Sequence, residues 1–357
     1  MRKMDKENKM LSKKQKEIVE TEHKKVVVNS SAASGKTATL TERVKFLLNK
    51  KIDPNKIVVI TFTNAAADEM RERIGMFPGL FIGTIHSYAN YLLISSGHET
   101  EEYLNEENFD KLFEEVSMYP DCVKEVEHLL IDEGQDTTKQ QFYFLLDMVK
   151  PKNWIIFADH KQSIYRWNGA EPQYIIDLMR ESDVHTYDLN ENYRNGKSIL
   201  TFAKSIIRLN GMDYYDKSIP MRKENGKVVE VVCSYKPLVE GIKKIGNYGS
   251  WFVLTRTNSQ IEDICEHLED MGIPYTVFKK KGLSNQEINE RLKEDKVKVM
   301  TIHMSKGLET ENVMVIGANF YNVEEKCISY VAATRAKNLL VWTREKKKKK
   351  RDIEMWE

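Results

Sequence analysis

Short, continuous runs of β-branched and apolar residues recur along the whole sequence. They lie at 26–29, 57–61, 129–132, 154–158, 251–255, 297–301, 313–317 and 339–342. Stretches of helical character separate them, such as 36–49, 65–74 and 260–271. Runs of this kind are typical of strands buried on both faces, as in parallel sheets covered by helices. The pattern therefore predicts a doubly wound α/β architecture, present in two copies.

Composition and charge exclude several classes of protein. The chain has 357 residues, 41% of them hydrophobic, which is enough to build folded cores. No apolar run approaches the roughly 20 residues of a membrane span, and the charged N-terminus lacks a signal-peptide pattern. We therefore expect a cytoplasmic protein with no membrane partner. The four cysteines are far apart, which argues against a zinc site. Because 55 basic residues balance 54 acidic ones, any nucleic-acid site depends on local charge placement.

The first apolar run leads into a segment rich in small residues, SSAASGKT at 30–37, and then into a predicted helix. Glycine, lysine and threonine at a strand-to-helix turn are typical of a phosphate-binding loop, where backbone N–H groups and the helix dipole hold phosphates. Lys36 is expected to reach the β- and γ-phosphates, and Thr37 to hold Mg²⁺. Ser30 stands where the strict pattern has its first glycine, so this segment alone leaves a chance match open.

A second signal lies at 129–136, LLIDEGQD. An apolar strand that ends in adjacent carboxylates is typical of a Walker B site. Asp132 is expected to hold Mg²⁺, directly or through its water shell, and Glu133 to orient and deprotonate the attacking water. A charged loop after a strand is common by itself, but its combination with a phosphate loop favours an NTPase.

Together with seven other strings along the chain, this acidic box resembles the superfamily 1A helicases, the UvrD/PcrA/Rep group. The matching strings stand in family order: LSKKQ (11–15), TFTNAAADEM (61–70), GTIHSY (83–88), ADHKQSIYRWNGA (158–170), NYR (192–194), TIHMSKGLE (301–309) and YVAATRAK (330–337). The resemblance implies an α/β fold of two tandem RecA-like P-loop domains with parallel sheets. It implies a first domain, 1A, at 1–187 with a small helical, 1B-like insertion at about 90–128. It implies a second domain, 2A, at 188–357, ending in a basic tail.

The resemblance assigns one group of residues to ATP and Mg²⁺. Its nucleotide-binding members are Gln15, Ser34, Gly35, Lys36, Thr37, Arg43, Tyr193 and Glu309, with Asp132 and Thr37 at the metal. Gln15 would read the adenine edge, Tyr193 would stack on adenine, and Gln162 would sense the γ-phosphate. Arg194 and Arg335 would act as arginine fingers across a cleft between the domains, and Glu133 as the catalytic base.

A second group is assigned to single-stranded DNA: Phe62, Asn64, Thr84, His86, Tyr165, Trp167, Thr301 and His303. Aromatic stacking suits a motor that ignores sequence, because every base offers a π-face. Taken singly, a histidine or tryptophan is more often structural, so these assignments rest on the ordered series of motifs.

The chain also departs from the family pattern. Ser31 and Ala33 replace two glycines of the phosphate loop, which stiffens it. Ala158 stands for a glycine, Asn168 for an arginine and Val299 for a leucine. The 1B insertion is reduced, and only 279–296 separates the strand before the usual 2B insertion from the next motif. The chain thus resembles the two-domain motor without 2B. The basic run at 346–351 is interpreted as a solvated terminus, with phosphate contact as the alternative.

The expected function is that of an ATP-driven 3′→5′ translocase or helicase on single-stranded or tailed duplex DNA. Unwinding would be weak, unregulated or dependent on a protein partner that replaces the missing subdomains. One alternative is an ATPase subunit of a larger nucleic-acid-processing or defence complex, active only with its partner. Another is a binding module with a decayed ATPase, and an RNA substrate stays open as well. Repair, replication, plasmid and phage biology all fit the sequence.

Overall fold

A computed structural model describes residues 11–101, 109–232, 235–278 and 285–343. The described chain divides into two compact units. The first contains the chain up to Tyr193 together with Lys217–Ile219, and the second contains Arg194–Asp216 and the chain from Pro220 onwards. Within the described ranges, no helix combines the length and apolarity needed to cross a bilayer.

The first unit is a parallel α/β sheet with helices on both faces. Its strands are β1 (Lys25–Ser30), β2 (Ile57–Ile60), β3 (Phe81–Gly83), β4 (His128–Ile131), β5 (Asn153–Ala158) and β6 (His185–Leu189), followed by the short β7 (Glu191–Asn192). Its helices are α1 (Lys13–Glu20), α2 (Lys36–Asn49), α3 (Asn64–Ile74), α4 (Ile85–Ser95), α5 (Lys111–Met118), α6 (Lys139–Phe142) and α7 (Pro172–Leu178). The six strands are ordered β3-β2-β4-β5-β1-β6, and all their pairings are parallel.

Alternate residues of each central strand supply two separate cores. Val27 and Ile156 point to the face covered by α4 and α5, whereas Val28 and Ile155 point to the face covered by α1, α2 and α3. Because both faces are apolar, the central strands read as continuous hydrophobic runs in the sequence. This packing fixes the strand ends from which the loops of the site emerge.

The second unit repeats this plan. Its strands are β9 (Lys227–Val231), β10 (Trp251–Thr255), β11 (Tyr275–Phe278), β12 (Val297–Thr301), β13 (Thr310–Ile316) and β14 (Ala336–Thr343). The short strand β8 (Ile219–Pro220) pairs with β7 and has Ile219 in the first unit and Pro220 in the second. The helices of the second unit are α8 (Lys197–Ile207), α9 (Tyr235–Ile245), α10 (Asn258–Asp270), α11 (Asn285–Lys293) and α12 (Val323–Ala333). The sheet order is β11-β12-β10-β13-β14-β9, and the pairings are again parallel.

This architecture confirms the predicted α/β fold class of two tandem RecA-like domains with parallel sheets. Each of the eight predicted apolar runs coincides with a strand. Within the predicted insertion, the described residues contain the end of α4 and the helix α5. The domain boundary predicted after residue 187 falls inside β6, whose Leu189 pairs with Ser30. The predicted basic tail lies outside the described residues.

The segment 208–227 contributes to both units. Ile219 returns to the first unit, where its N–H donates to the Asn190 carbonyl at 2.7 Å. Asp216 is buried in the second unit and accepts a hydrogen bond from the Tyr330 hydroxyl at 2.8 Å. These contacts tie a segment without a periodic hydrophobic pattern to both units.

Candidate nucleotide and nucleic-acid sites

Three neighbouring strands of the first unit deliver the candidate catalytic segments to one edge of the sheet. β1 ends in the phosphate loop, β4 ends in Asp132 and Glu133, and β5 ends in the segment that contains Asp159 and Gln162. In the sheet β5 lies between β1 and β4, and all three run parallel. Their carboxyl ends therefore meet, which is where ligands bind in open α/β sheets.

The phosphate loop is held in shape by residues outside it. Gly35 caps α2 with a φ of 80°, and a side chain there would begin 2.7 Å from the Gln15 amide nitrogen. That nitrogen donates to the Ser34 carbonyl at 3.2 Å. Ala33 has a φ of 56°, a left-handed conformation that favours glycine. The backbone at this position therefore favours the glycine that the family has, and Ala33 adopts the same conformation at a cost in strain.

The two residues expected at the metal lie together. The Thr37 hydroxyl donates to Asp132 Oδ2 at 3.0 Å, across the N-terminal turn of α2. Beside them, Lys36 Nζ lies 3.5 Å from Glu133 Oε1. The structure therefore brings four of the predicted site residues into one cluster, at the positive end of a helix dipole.

Asp132 is buried in surroundings with an excess of negative charge. Burial raises the pKa of its carboxyl group, and the Glu133 carboxylate raises it further, against the opposing effects of Lys36 and the Thr37 hydrogen bond. The ionised form of Asp132 is therefore unfavourable here, and a cation bound beside it would stabilise that form.

The cluster fits MgATP. Hydroxyl and carboxylate oxygens, as in Thr37 and Asp132, are the hard ligands that Mg²⁺ prefers. The Ser34 hydroxyl is buried in the phosphate loop and has no hydrogen-bond partner among the described residues. A buried hydroxyl in that condition is ready to donate to a phosphate oxygen. Hydrogen-bond donors, oxygen atoms of the kind that Mg²⁺ prefers and a second carboxylate, that of Glu133, thus lie in one place.

Gln162 is held by a buried network at the end of β5. Its amide nitrogen donates to Asp159 Oδ2 at 2.7 Å, while Lys161 Nζ lies 2.7 Å from Asp159 Oδ1. Lys161 Nζ also donates to the Ser30 carbonyl at 3.3 Å. Burial opposes ionisation of Asp159, but the positive charges of Lys161 and Lys36 and the hydrogen bonds lower its pKa overall. The candidate γ-phosphate sensor is thereby linked to the start of the phosphate loop.

The residues expected to contact the adenine or its surroundings lie in two separate places. Ser12 and Gln15 form the capping box of α1, and the Tyr193 hydroxyl interacts with Ser12 as well as with Glu191. Gln15 and Tyr193 therefore lie near each other. Arg43 lies elsewhere, buried with its guanidinium donating to the Val19 carbonyl at 2.6 Å, beside residues at the amino ends of β4 and β5. Its predicted nucleotide contact stays a prediction.

Three of the six DNA-binding candidates of the first unit, Phe62, Thr84 and His86, line one cavity of about 170 Å³. Asp132, Glu133 and Asn168 line it as well. The rings of Phe62 and Tyr165 stack with centroids 4.8 Å apart, and Trp167 lies edge-on to Tyr165 with 63% of its surface exposed. An aromatic face is thus available beside the carboxylate cluster.

The polar DNA-binding candidates of the first unit differ in their surroundings. Thr84 caps α4 by accepting from the Ser87 N–H, and Asn64 is exposed in the first turn of α3. His86 packs between Phe109 and Phe113, and burial lowers its pKa despite Asp110, whose carboxylate lies 3.8 Å away. Their contact with DNA stays a prediction.

In the second unit, three predicted residues meet at the C-terminal end of α12. Arg194 pairs with Glu309 and donates to the Thr334 carbonyl at 3.0 Å, and Lys337 reaches the other Glu309 oxygen at 3.1 Å. Arg335 is buried and donates to the Val331 and Leu308 carbonyls at 3.0 and 3.2 Å. Burial raises the Glu309 pKa, but Arg194 and Lys337 together lower it to about 2.

Thr301 is the last residue of β12, and His303 lies in the turn that follows. The Thr301 hydroxyl accepts from the Met304 N–H at 3.3 Å, and Gly307, with a φ of 87°, reverses the chain before Glu309. The turn therefore places His303, which is half-buried, on the same short segment as the Arg194–Glu309 pair.

Sequence reasoning missed two buried residues that support the site. Gln135 contacts Glu133 and Asp159, and Lys161 is the buried partner of Asp159. The available signal for Lys161 was a lysine two residues after an aspartate that directly follows a buried strand, because buried cations are paired. Gln135 carried no such signal, since a glutamine in an acidic box reads as a surface residue.

Two protein-family models match the chain. The model of the UvrD/REP helicase N-terminal domain matches residues 11–119 and 107–183. The model of the UvrD-like helicase C-terminal domain matches residues 277–347. The two matches fall on the two compact units, and together they cover more than half of the chain.

Individual proteins are similar at a lower level. The ATP-dependent DNA helicase PcrA of Staphylococcus aureus is 25% identical over 79% of this chain and 53% of its own length. A probable DNA helicase II homolog of Mycoplasma capricolum is 24% identical over 71% of this chain and 50% of its own. PcrA of Staphylococcus epidermidis is 25% identical over 80% and 53%. The chain thus spans about half the length of these relatives.

Proposed function

We propose, since the chain belongs to the UvrD-like family of superfamily 1 helicases, that it is an ATP-dependent DNA motor. It would hydrolyse MgATP at the phosphate loop and move 3′→5′ along single-stranded DNA. The relatives from Staphylococcus and Mycoplasma are described as DNA helicases, and this chain would share the use of ATP and the DNA substrate.

The observation that carries the proposal is the juxtaposition of two pairs. Thr37 and Asp132 lie 3.0 Å apart, and Lys36 and Glu133 lie 3.5 Å apart, at the N-terminus of one helix. Catalysis of phosphoryl transfer consists largely of positioning and electrostatic stabilisation, and these residues supply both.

Each residue would have a distinct part in hydrolysis. Lys36 and the N–H groups of the loop would bind the phosphates, while Asp132 and Thr37 would hold Mg²⁺. When bound, the metal neutralises charge on the phosphate oxygens. Glu133 would accept the proton of the attacking water at its carboxylate. Lys36 lies 3.5 Å from that carboxylate in the structure. When phosphate attracts Lys36 away, Glu133 would be free to act as a base.

DNA would bind beside this cluster through aromatic and polar contacts. Trp167 offers an exposed indole, and Phe62 and Tyr165 continue the aromatic surface towards Glu133. The cavity between them would transmit the state of the nucleotide to the strand. Thr301 and His303 would contribute strand contacts from the second unit, and Arg194 and Arg335 would act as arginine fingers.

The first test measures ATP hydrolysis with and without single-stranded DNA, for the native protein and for Glu133→Gln. We expect strong stimulation by DNA, and a loss of roughly 10²–10⁴-fold in kcat in the variant, because it removes the base. Glu181→Gln makes the same change at an exposed site of the first unit and should behave like the native protein.

Two further outcomes bear on the details. DNA binding without any stimulation of hydrolysis would overturn the proposal of an autonomous motor. If hydrolysis is stimulated, displacement of a strand from duplexes with 3′ or 5′ tails tests the direction, and single-stranded RNA as activator tests the choice of nucleic acid. Movement on 5′-tailed substrates alone would contradict the 3′→5′ assignment.

A further inference from the structure

A fully buried glutamine bridges the two catalytic segments of the first unit. Gln135 has none of its surface exposed. Its side-chain amide nitrogen donates to Glu133 Oε2, and its side-chain oxygen accepts from the Asp159 N–H at 2.9 Å. Its backbone carbonyl accepts a hydrogen bond from the Ser163 hydroxyl at 3.2 Å. A side chain satisfied at both ends in this way is held in a single orientation.

We infer that Gln135 is a positioning residue for hydrolysis: it fixes the Glu133 carboxylate and ties it to the segment that carries Gln162. This inference rests on the proposed ATPase function and adds a residue to it. Gln135 itself touches neither of the reacting groups, so it acts through Glu133.

The geometry of Glu133 explains why such support is needed. Glu133 has a φ of 55°, a strained conformation for a residue with a side chain, and one carboxylate oxygen faces Lys36 at 3.5 Å. Without a second anchor, the carboxylate would be free to follow Lys36 when that lysine moves to phosphate. The Gln135 amide holds the other oxygen, so the base keeps its place while its ion pair opens.

The far end of the bridge reaches the candidate phosphate sensor. Gln135 accepts from the N–H of Asp159, and the carboxylate of Asp159 holds the Gln162 amide at 2.7 Å. Lys161 neutralises Asp159 and reaches Ser30 at the start of the phosphate loop. A displacement of Gln162 would therefore be transmitted to Glu133 through three hydrogen bonds: Gln162 to Asp159, Asp159 to Gln135, and Gln135 to Glu133. Only a side chain with both a donor and an acceptor can complete this path.

The test compares two substitutions of Gln135. Gln135→Met keeps the length of the side chain and removes both hydrogen bonds, whereas Gln135→Glu keeps the acceptor and replaces the donor. We expect kcat for ATP to fall roughly 10- to 100-fold in both, because small misplacements of a catalytic group are costly. KM for ATP should change by no more than about twofold, since the phosphate loop is untouched. Gln140→Glu, at an exposed position of α6, is the matched control.

A purely structural role would give a different pattern. It would lower the melting temperature and the active fraction, and it would leave the kcat of the folded enzyme unchanged. Unaltered kcat in both variants, or a fall in kcat that follows loss of folded protein, would overturn the inference.

A second readout does not depend on turnover. In protein labelled with ¹⁵N-glutamine, the side-chain amide signal of Gln135 is identified by its loss in Gln135→Met. We expect this signal to shift and to exchange faster with solvent in Glu133→Ala, because its acceptor is gone. An unchanged signal would show that the contact is not made, whether or not the protein hydrolyses ATP. Absence of hydrolysis in the native protein would instead count against the proposed function alone.

Discussion

The two units each hold a cluster of charged residues, and the clusters have opposite imbalances. In the first unit Asp132 and Glu133 lie beside the cation Lys36. In the second unit Glu309 lies between Arg194 and Lys337. Burial raises the pKa of Asp132, with Glu133 adding to the rise. Burial acts in the same direction on Glu309, but the two cations outweigh it and lower its pKa to about 2.

This difference in charge indicates which kind of ion each cluster would favour. The first has too little positive charge, so a divalent cation would stabilise it. In the second, Arg194 and Lys337 pair with Glu309, and Glu311 lies 3.8 Å from Lys337. The buried Arg335 leaves a positive charge there, which suits an anion.

The backbones differ too. In the first cluster two residues with side chains, Ala33 and Glu133, have left-handed conformations, whereas in the loop of the second cluster a glycine, Gly307, has a positive φ. Substitutions in each cluster test these contrasts.

Removal of Arg194 should have the largest effect. If it acts as an arginine finger, Arg194→Ala lowers kcat by about 10³–10⁵-fold, because positioned charge stabilises the transferring phosphoryl group. If it only pairs with Glu309, the cost is limited to a stability loss of about 0–1 kcal/mol. Single-turnover hydrolysis with DNA present separates the two. Arg208→Ala, at an exposed position just after α8, is the control.

Asp132→Asn should separate function from stability. The folded-state pKa of Asp132 is raised from 3.8 to about 6, so its ionised form costs stability. This cost is absent below the unfolded value and grows as the pH rises through about 6. We therefore expect the variant to lose Mg²⁺-dependent hydrolysis yet gain on the order of 1–3 kcal/mol at pH 7.

The measurement is urea unfolding of both proteins between pH 4 and pH 8, without nucleotide or metal. The difference in unfolding free energy should be small at the acid end and largest above about pH 6. A variant that is less stable than the native protein at pH 7 would show that Lys36 and the Thr37 hydrogen bond already offset the cost of burying the ionised Asp132.

Ala33→Gly tests the backbone contrast. A left-handed alanine costs about 1 kcal/mol, partly offset by the greater freedom of glycine in the unfolded chain. We expect a gain of about 0.5 kcal/mol in the unfolding free energy, with the Ala33 carbonyl still accepting from the Tyr193 N–H. Ala38→Gly, inside α2, should instead lose about 0.5–1 kcal/mol. Equal losses in both variants would show that Ala33 is unstrained.

How far the sequence predicts this fold depends on where a strand lies in its sheet. The runs at 26–29, 154–158 and 251–255 are apolar on both faces and lie at central positions. The edge strands β6 and β9 were missed, because they read HTYDL and KVVEV and are partly exposed. Continuous hydrophobicity reports burial on both faces, and an edge strand does not have it.

The site shows a similar division. The residue types at strand ends predicted that Lys36, Thr37, Asp132 and Glu133 would meet, and the structure brings them together. The partners that hold them were not predictable, because Gln135 and Lys161 act through side-chain contacts between separate segments. Spacing within a motif cannot report such contacts. Arg43 is the opposite case: its position in the motif predicted a nucleotide contact, and nothing in the sequence indicated that its guanidinium donates to the Val19 carbonyl.

Glu309→Gln completes the comparison with Asp132. The folded-state pKa of Glu309 is lowered from 4.5 to about 2, so its stabilising contribution is present above the unfolded value and is lost as the pH falls through about 2. The side chain is 40% exposed, and solvent screening reduces the expected loss at pH 7 to about 0.5–1 kcal/mol. The loss should shrink on acidification and at high salt, in contrast to the gain from Asp132→Asn, which comes from a buried group and should persist in salt. Glu266→Gln, at an exposed position of α10, is the control in urea unfolding. A gain in stability here would mean that the second cluster also has an excess of negative charge, and the distinction between a cation-accepting and an anion-accepting unit would fail.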